Sequence, residues 1–174
     1  MPVSKIYQSI CTAFEEAGWQ YAQVDGREVV RAGFEAHHTR VNLHVQAFAE
    51  LSGVAVVAES DRRTDEAIRR ERLSELAMRV NESLTIGNFE VRWDSGQLNY
   101  RLANLFPDDA GDISLIQGLV HNTVGEMDRI APIEAMIHQS TLPELAGLDL
   151  GLLINRKDLL PEVPDIELPE KPTA

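Results

Sequence analysis

Residues 87–102 constrain the fold more than any other stretch of the sequence. Two alternating apolar runs flank Ser95-Gly96, a pattern that predicts a β-hairpin. A two-residue loop there sets Trp93 against Leu98, Val91 against Tyr100 and Phe89 against Leu102 on one face. Arg92 with Asn99 and Glu90 with Arg101 then share the other. A three-residue loop mixes apolar with polar side chains on both faces. Because a one-residue slip exchanges the faces of a strand, the two-residue register is expected. The hairpin thus presents one aromatic-rich face to bury and one charged face to water.

The flanking chain supplies partners for that face. Val3, Ile6, Ile10, Ala13, Phe14 and Ala17 recur at helical spacing, and Gly18 stops the helix they predict. Residues 19–24 and 28–36 read as strands joined by a tight turn at Asp25-Gly26. Beyond a polar corner at His37-His38-Thr39, Val41, Leu43, Val45 and Ala47 alternate with Asn42, His44 and Gln46, as in a half-buried strand. Ser52-Gly53 turns the chain again, into an apolar strand over residues 54–58. Asp61 to Thr64 offer helix-start chemistry, for a helix reaching about residue 84 with Leu73, Leu76, Ala77, Val80 and Leu84 on its inner face. Asp112 caps a third helix, which Pro132 is expected to kink or to break into a separate turn. The order α-β-β-β-(β)-α-β-β-α predicts an α+β domain, an antiparallel sheet of five to six strands with helices packed against it. That domain is expected over residues 1–140. A Leu/Gly-rich and then Pro-rich extension follows over 141–174.

Composition narrows the function classes. A chain of 174 residues can bury a core without disulfides, and its one cysteine, Cys11, has no second thiol for a bridge or a zinc site. A net charge of -12 repels phosphate backbones and anionic lipid, so neither nucleic acid nor membrane is expected as a partner. Arg62, Arg63, Arg69, Arg70, Arg72 and Arg79 crowd one segment, but interleaved acids make a solvated helix face the expected outcome. No apolar run approaches the roughly 20 residues that span a bilayer, and residue 1 onwards lacks a signal-peptide layout, so a cytoplasmic location is expected.

Asn81, the run Gly87-Asn88-Phe89-Glu90, Asp94, Gly96, Asp128 and Pro132 together give residues 66–137 a local wording that resembles the YbjN-like family of bacterial proteins. The fold of that family is related to the type III secretion chaperones. The resemblance implies an antiparallel sheet with helices on it, a homodimer, and no catalytic constellation. Secretion chaperones bind extended segments of client proteins, which implies a protein partner.

Motifs for phosphate loops, zinc proteases and serine hydrolases are all absent. Glu35, His37, His38 and His44 form the nearest candidate metal cluster, but neighbouring strand residues face opposite ways, so no metal and no cofactor is expected. The expected function is a non-catalytic protein-interaction module, chaperone-like, binding extended segments of a partner. A small-ligand-sensing or regulatory module is the alternative. The candidate interaction surface comprises Trp93, Leu98 and Tyr100 of the hairpin with Leu159, Leu160, Val163, Ile166 and Leu168 of the extension, which is expected either to lie in the client site when no client is present or to be a plain disordered end.

Overall fold

Ser4 opens the first helix, its hydroxyl accepting from the Tyr7 N–H at 3.2 Å while Glu28 accepts from the Ser4 N–H. The computed structural model describes residues 3–155. Helix α1 (Lys5–Glu16) buries Ile6, Ile10, Ala13 and Phe14 as its spacing predicts, whereas Val3, expected on the same stripe, precedes the cap and is 50% exposed, and Ala17 is the half-buried C-cap. Six strands follow in an α+β arrangement: β1 (Ala22–Gln23), β2 (Val29–Glu35), β3 (Arg40–Phe48), β4 (Gly53–Glu59), β5 (Asn88–Arg92) and β6 (Gln97–Leu105). All neighbours are antiparallel in the order β1-β2-β3-β4-β6-β5. Helix α2 (Ala67–Asn81) lies between β4 and β5 in sequence, and α3 (Ile113–Gln139) follows β6.

The helices pack on one face of the sheet. Val41, Leu43, Val45 and Ala47 of β3, Val54, Val56 and Ala58 of β4, and Leu98, Tyr100 and Leu102 of β6 all join their core, as period-two patterning requires. No described element covers the opposite face, where Ala55 and Val57 of β4 are shielded by longer side chains opposite them, Gln46, His44 and Arg101.

Several expectations are corrected. The hairpin loop holds four residues, so Phe89 pairs with Tyr100, Val91 with Leu98 and Arg92 with Gln97. This is a two-residue shift from the expected register, which conserves the faces but removes Trp93 from the strand. Tertiary contact sets the longer loop: the Thr64 N–H donates to the Ser95 carbonyl at 3.2 Å, and Gly96, at φ +56°, sits where a Cβ would lie 2.0 Å from the Thr64 carbonyl oxygen. Helix α2 starts at Ala67, not at Asp61, because residues 60–66 form a strap whose backbone bonds to the hairpin. The Ser60 N–H donates to the Leu98 carbonyl and the Ser60 carbonyl accepts from the buried Gln97 side chain at 2.6 Å.

Pro132 does not begin a separate turn. One helix continues through it, with Met127, Ile130, Ile133 and Ile137 buried on both sides of the interruption. Nor is the arginine cluster wholly solvated. Arg69 donates to the carbonyls of Ile137 and Ser140, end groups of α3 that lack helical partners, and Arg72 donates to the Leu148 carbonyl. Short helices α4 (Leu142–Gly147) and α5 (Leu150–Ile154) then place Leu145 and Leu150 in the same core.

Candidate interaction surface

Trp93 is the first residue of the hairpin loop, and being outside the strand pairing is what brings it to the surface. It is 57% exposed, with the Arg70 guanidinium 5.4 Å from its ring centroid. Across from it, Met78 on the outer side of α2 is 70% exposed. Between them runs a groove of about 450 Å³ lined by Glu71, Ser74, Glu75, Met78, Arg79, Glu82 and Trp93. Two large apolar side chains bordering one groove make a contact surface of the kind that marks interaction sites.

Leu98 and Tyr100 do not belong to that surface. They are 1% and 0% exposed, on the sheet face that the helices cover, with Tyr100 packed against Phe89 at a ring-centroid distance of 4.8 Å. The Tyr100 hydroxyl lies 2.9 Å from both the Ile86 carbonyl and the Asn122 side-chain oxygen, and burial pushes its pKa up to about 12. Leu159, Leu160, Val163, Ile166 and Leu168 lie outside the described residues.

The free edge of β5 is partly closed. Outward-facing backbone groups of Phe89 are paired with the side chain of Asn81, the last residue of α2. An unpaired strand edge is a template for another chain, and this contact removes part of it.

Two polar regions lie elsewhere. The bare sheet face holds an open cavity of about 830 Å³ whose lining includes Tyr21, Arg31, Arg40, His44, Asp61 and Arg63. Burial lowers the pKa of His44, and the nearby Arg31, Arg101 and Arg92 act in the same direction against the pull of Glu59. Behind the strap, Glu134 of α3 is 2% exposed, with Oε2 3.5 Å from Arg62 Nη1 and Oε1 4.0 Å from His138 Nε2. Burial outweighs the Arg62 charge and raises the Glu134 pKa.

The histidines do not converge. The His37 and His38 rings meet edge to face at 4.5 Å, Asp128 accepts from the backbone N–H groups of His38 and Thr39, and His44 lies on the bare sheet face. Among the described residues no group of three or more His, Cys, Asp or Glu is placed to hold a metal ion, and no helix is long and apolar enough to cross a membrane.

No family model matches the sequence, and no curated protein does. Among solved structures, YbjN of E. coli, a candidate transcription regulator, matches over 76% of this chain and 92% of its own, at 12% identity and a TM-score of 0.53. The chain has a YbjN-like fold. The HopA1–SchA chaperone–effector complex matches over 74% of this chain and 96% of the matched chain, at 11% identity and a TM-score of 0.48. The YbjN likeness establishes the architecture of six strands and flanking helices, and identifies no site. The more distant chaperone likeness carries no weight in assigning a function.

Met78, Asn81 and the strap over residues 60–66 were missed from the sequence as parts of the surface. Met78 had a signal: it lies off the stripe of Leu73, Leu76, Ala77 and Val80, which leaves it, like Ile68 in the first turn, as a large apolar side chain among charged residues.

Proposed function

We propose that the chain is a non-catalytic protein-interaction module that holds an extended segment of a partner protein in the groove between α2 and the hairpin loop. The observation that carries this reading is the pairing of Trp93 and Met78 across that groove, both more than half exposed. Aromatic and methionine side chains are enriched at the centres of such contacts, the aromatic ring as a rigid anchor and the flexible thioether as an adaptable one. Main-chain pairing along β5 contributes less, since Asn81 occupies the Phe89 groups. The test is an array of extended peptides probed with the full chain and with a Trp93→Ala/Met78→Ala variant. Loss of the bound peptides in the variant supports the reading, and an unchanged binding profile removes it.

The same proposal includes a homodimer. Phe48, Gly53 and Leu105 align across β3, β4 and β6 on the bare sheet face, and Phe48, Leu51 and Leu105 are 39%, 64% and 69% exposed. None of these side chains is charged, so two copies of an acidic chain meet there with the least repulsion. Light scattering of the full chain should give twice the monomer mass, and Leu105→Glu should halve it. A monomer at high concentration refutes this part.

A second reading, recognition of a small polar ligand, rests on the cavity of the bare face. Arg31 and Arg63 line it without an ion pair among the described residues. A thermal-shift screen of small anions supports it if Arg31→Ala abolishes a shift, and a flat screen argues against it.

A further inference from the structure

We infer that the groove between α2 and the hairpin loop takes a partner segment with an apolar centre flanked by lysine or arginine, and that this chain's own acidic end is not its occupant. The inference rests on the interaction reading above and adds the chemistry of the partner. Glu71, Glu75, Met78 and Glu82 recur at helical spacing along one stripe of α2, so the carboxylates border the apolar floor made by Met78 and Trp93. The lining carries those three carboxylates against one guanidinium, Arg79, with Arg70 at the Trp93 ring as a second cation nearby. Glu75 is already engaged by both Arg72 and Arg79. Glu71 and Glu82 form no ion pair among the described residues. An apolar floor bordered by two carboxylates without a direct ion pair, Glu71 and Glu82, favours a segment whose own charges are positive, because complementary potentials speed encounter and like charges suppress the wrong partner.

The same electrostatics exclude the extension. Residues 156–174 carry Asp158, Glu162, Asp165, Glu167 and Glu170 against Arg156, Lys157 and Lys171. Arg156, Lys157 and Lys171 flank the apolar run 159–168 as the favoured segment's cations would, but Asp158 and Glu170 stand between them and the run, whose own charges, Glu162, Asp165 and Glu167, are all negative. Its apolar residues suit the floor, but the charges within its apolar run meet Glu71 and Glu82 with the same sign. A segment of another protein with flanking lysine or arginine is therefore inferred as the occupant in place of the extension.

The experiment is fluorescence anisotropy with the full chain and labelled peptides of one apolar core, flanked either by lysine or by glutamate, beside a peptide of residues 156–174. The lysine-flanked peptide should bind about tenfold tighter than the glutamate-flanked one, and the difference should shrink as salt shortens the screening length. Glu71→Lys/Glu82→Lys should reverse the preference, Glu71→Gln/Glu82→Gln should remove it, and Trp93→Ala should weaken both peptides. Equal affinity for both peptides, each weakened by Trp93→Ala, overturns the charge rule and leaves the interaction reading standing. Binding indifferent to Trp93→Ala, or no binding of either peptide, overturns the groove as a site. A residue 156–174 peptide that binds as tightly as the lysine-flanked one overturns the exclusion of the extension.

Discussion

The Asn81 side chain closes a two-bond ring with the backbone of Phe89: Oδ1 accepts from the Phe89 N–H at 2.8 Å, and Nδ2 donates to the Phe89 carbonyl at 3.0 Å. A single amide from the end of α2 thereby acts as a short stand-in for a seventh strand. Asn81→Ala leaves both backbone groups to be satisfied by water or by another chain. The expected cost is about 1–2 kcal/mol in chemical denaturation, because part-buried groups lose two bonds at once. Concentration-dependent self-association should rise with it, read by light scattering, since the edge is then open over its length.

Gly96 and Gly26 separate backbone strain from steric conflict. Both have positive φ, +56° and +70°, but a Cβ at Gly26 meets nothing within 4 Å, whereas at Gly96 it meets the Thr64 carbonyl oxygen at 2.0 Å. Gly26→Ala should cost about 1–2 kcal/mol, the price of the left-handed conformation alone. Gly96→Ala should cost clearly more, and it should loosen the loop that carries Trp93. Equal losses in urea unfolding would mean that the strap yields without resistance.

Burial divides the hairpin's large side chains into two energetic classes. Leu98→Ala should cost about 2–5 kcal/mol, as for any fully enclosed leucine. Tyr100→Phe should cost about 1–2 kcal/mol by leaving the Ile86 carbonyl without the hydroxyl. Trp93→Ala, more than half exposed, should cost less than about 1 kcal/mol. A large destabilisation by Trp93→Ala in the same denaturation series would place that residue in the scaffold and not at its surface.

Glu134 gives the chain a pH signature. Burial raises its pKa in the folded state, so the folded protein holds a proton that the unfolded chain has already released. Its contribution to stability is therefore present below the unfolded carboxylate value and is lost as pH rises through the folded one. Glu134→Gln mimics the protonated form, and Arg62, partly exposed, can turn to water when the charge is gone. The variant should melt higher than the parent at pH 7, with the difference closing near pH 4. His138 acts with the opposite sign, since burial, Arg62 and Arg69 lower its pKa, and because its Nε2 lies 4.0 Å from Glu134 the comparison is made in a His138→Gln background, where that group no longer titrates. A melting difference that is constant with pH would contradict the assignment.

The sequence was most legible where one face is buried and the other is wet. The alternation of Val41, Leu43, Val45 and Ala47 survives unchanged in β3, and the spacing of Ile6, Ile10, Ala13 and Phe14 gives the buried side of α1. Patterning also assigned Phe89 and Tyr100 to one side of their ribbon, because parity is blind to a shift of two. It could not find the register itself. That depends on Thr64, some thirty residues away, whose carbonyl reserves the place next to Gly96. The same long-range contact hid the start of α2: Asp61 and Thr64 have helix-start side chains, but their backbone belongs to the strap. Residues 142–154 were opaque for another reason. Helices of five or six residues show too little of a period to be read, and Leu145 and Leu150 are held by packing rather than by propensity.

Strand β6 has a consequence for how the chain is made. It lies between β4 and β5, so β4 gains its second neighbour only when residues 97–105 arrive, from the far side of α2 and β5. On a ribosome, the apolar strand Gly53–Glu59 thus emerges first and waits with one flank bare. Nascent chains stalled before residue 97 should be the species most prone to clump, and the most dependent on holdase protection, even though the finished molecule keeps that strand at its centre.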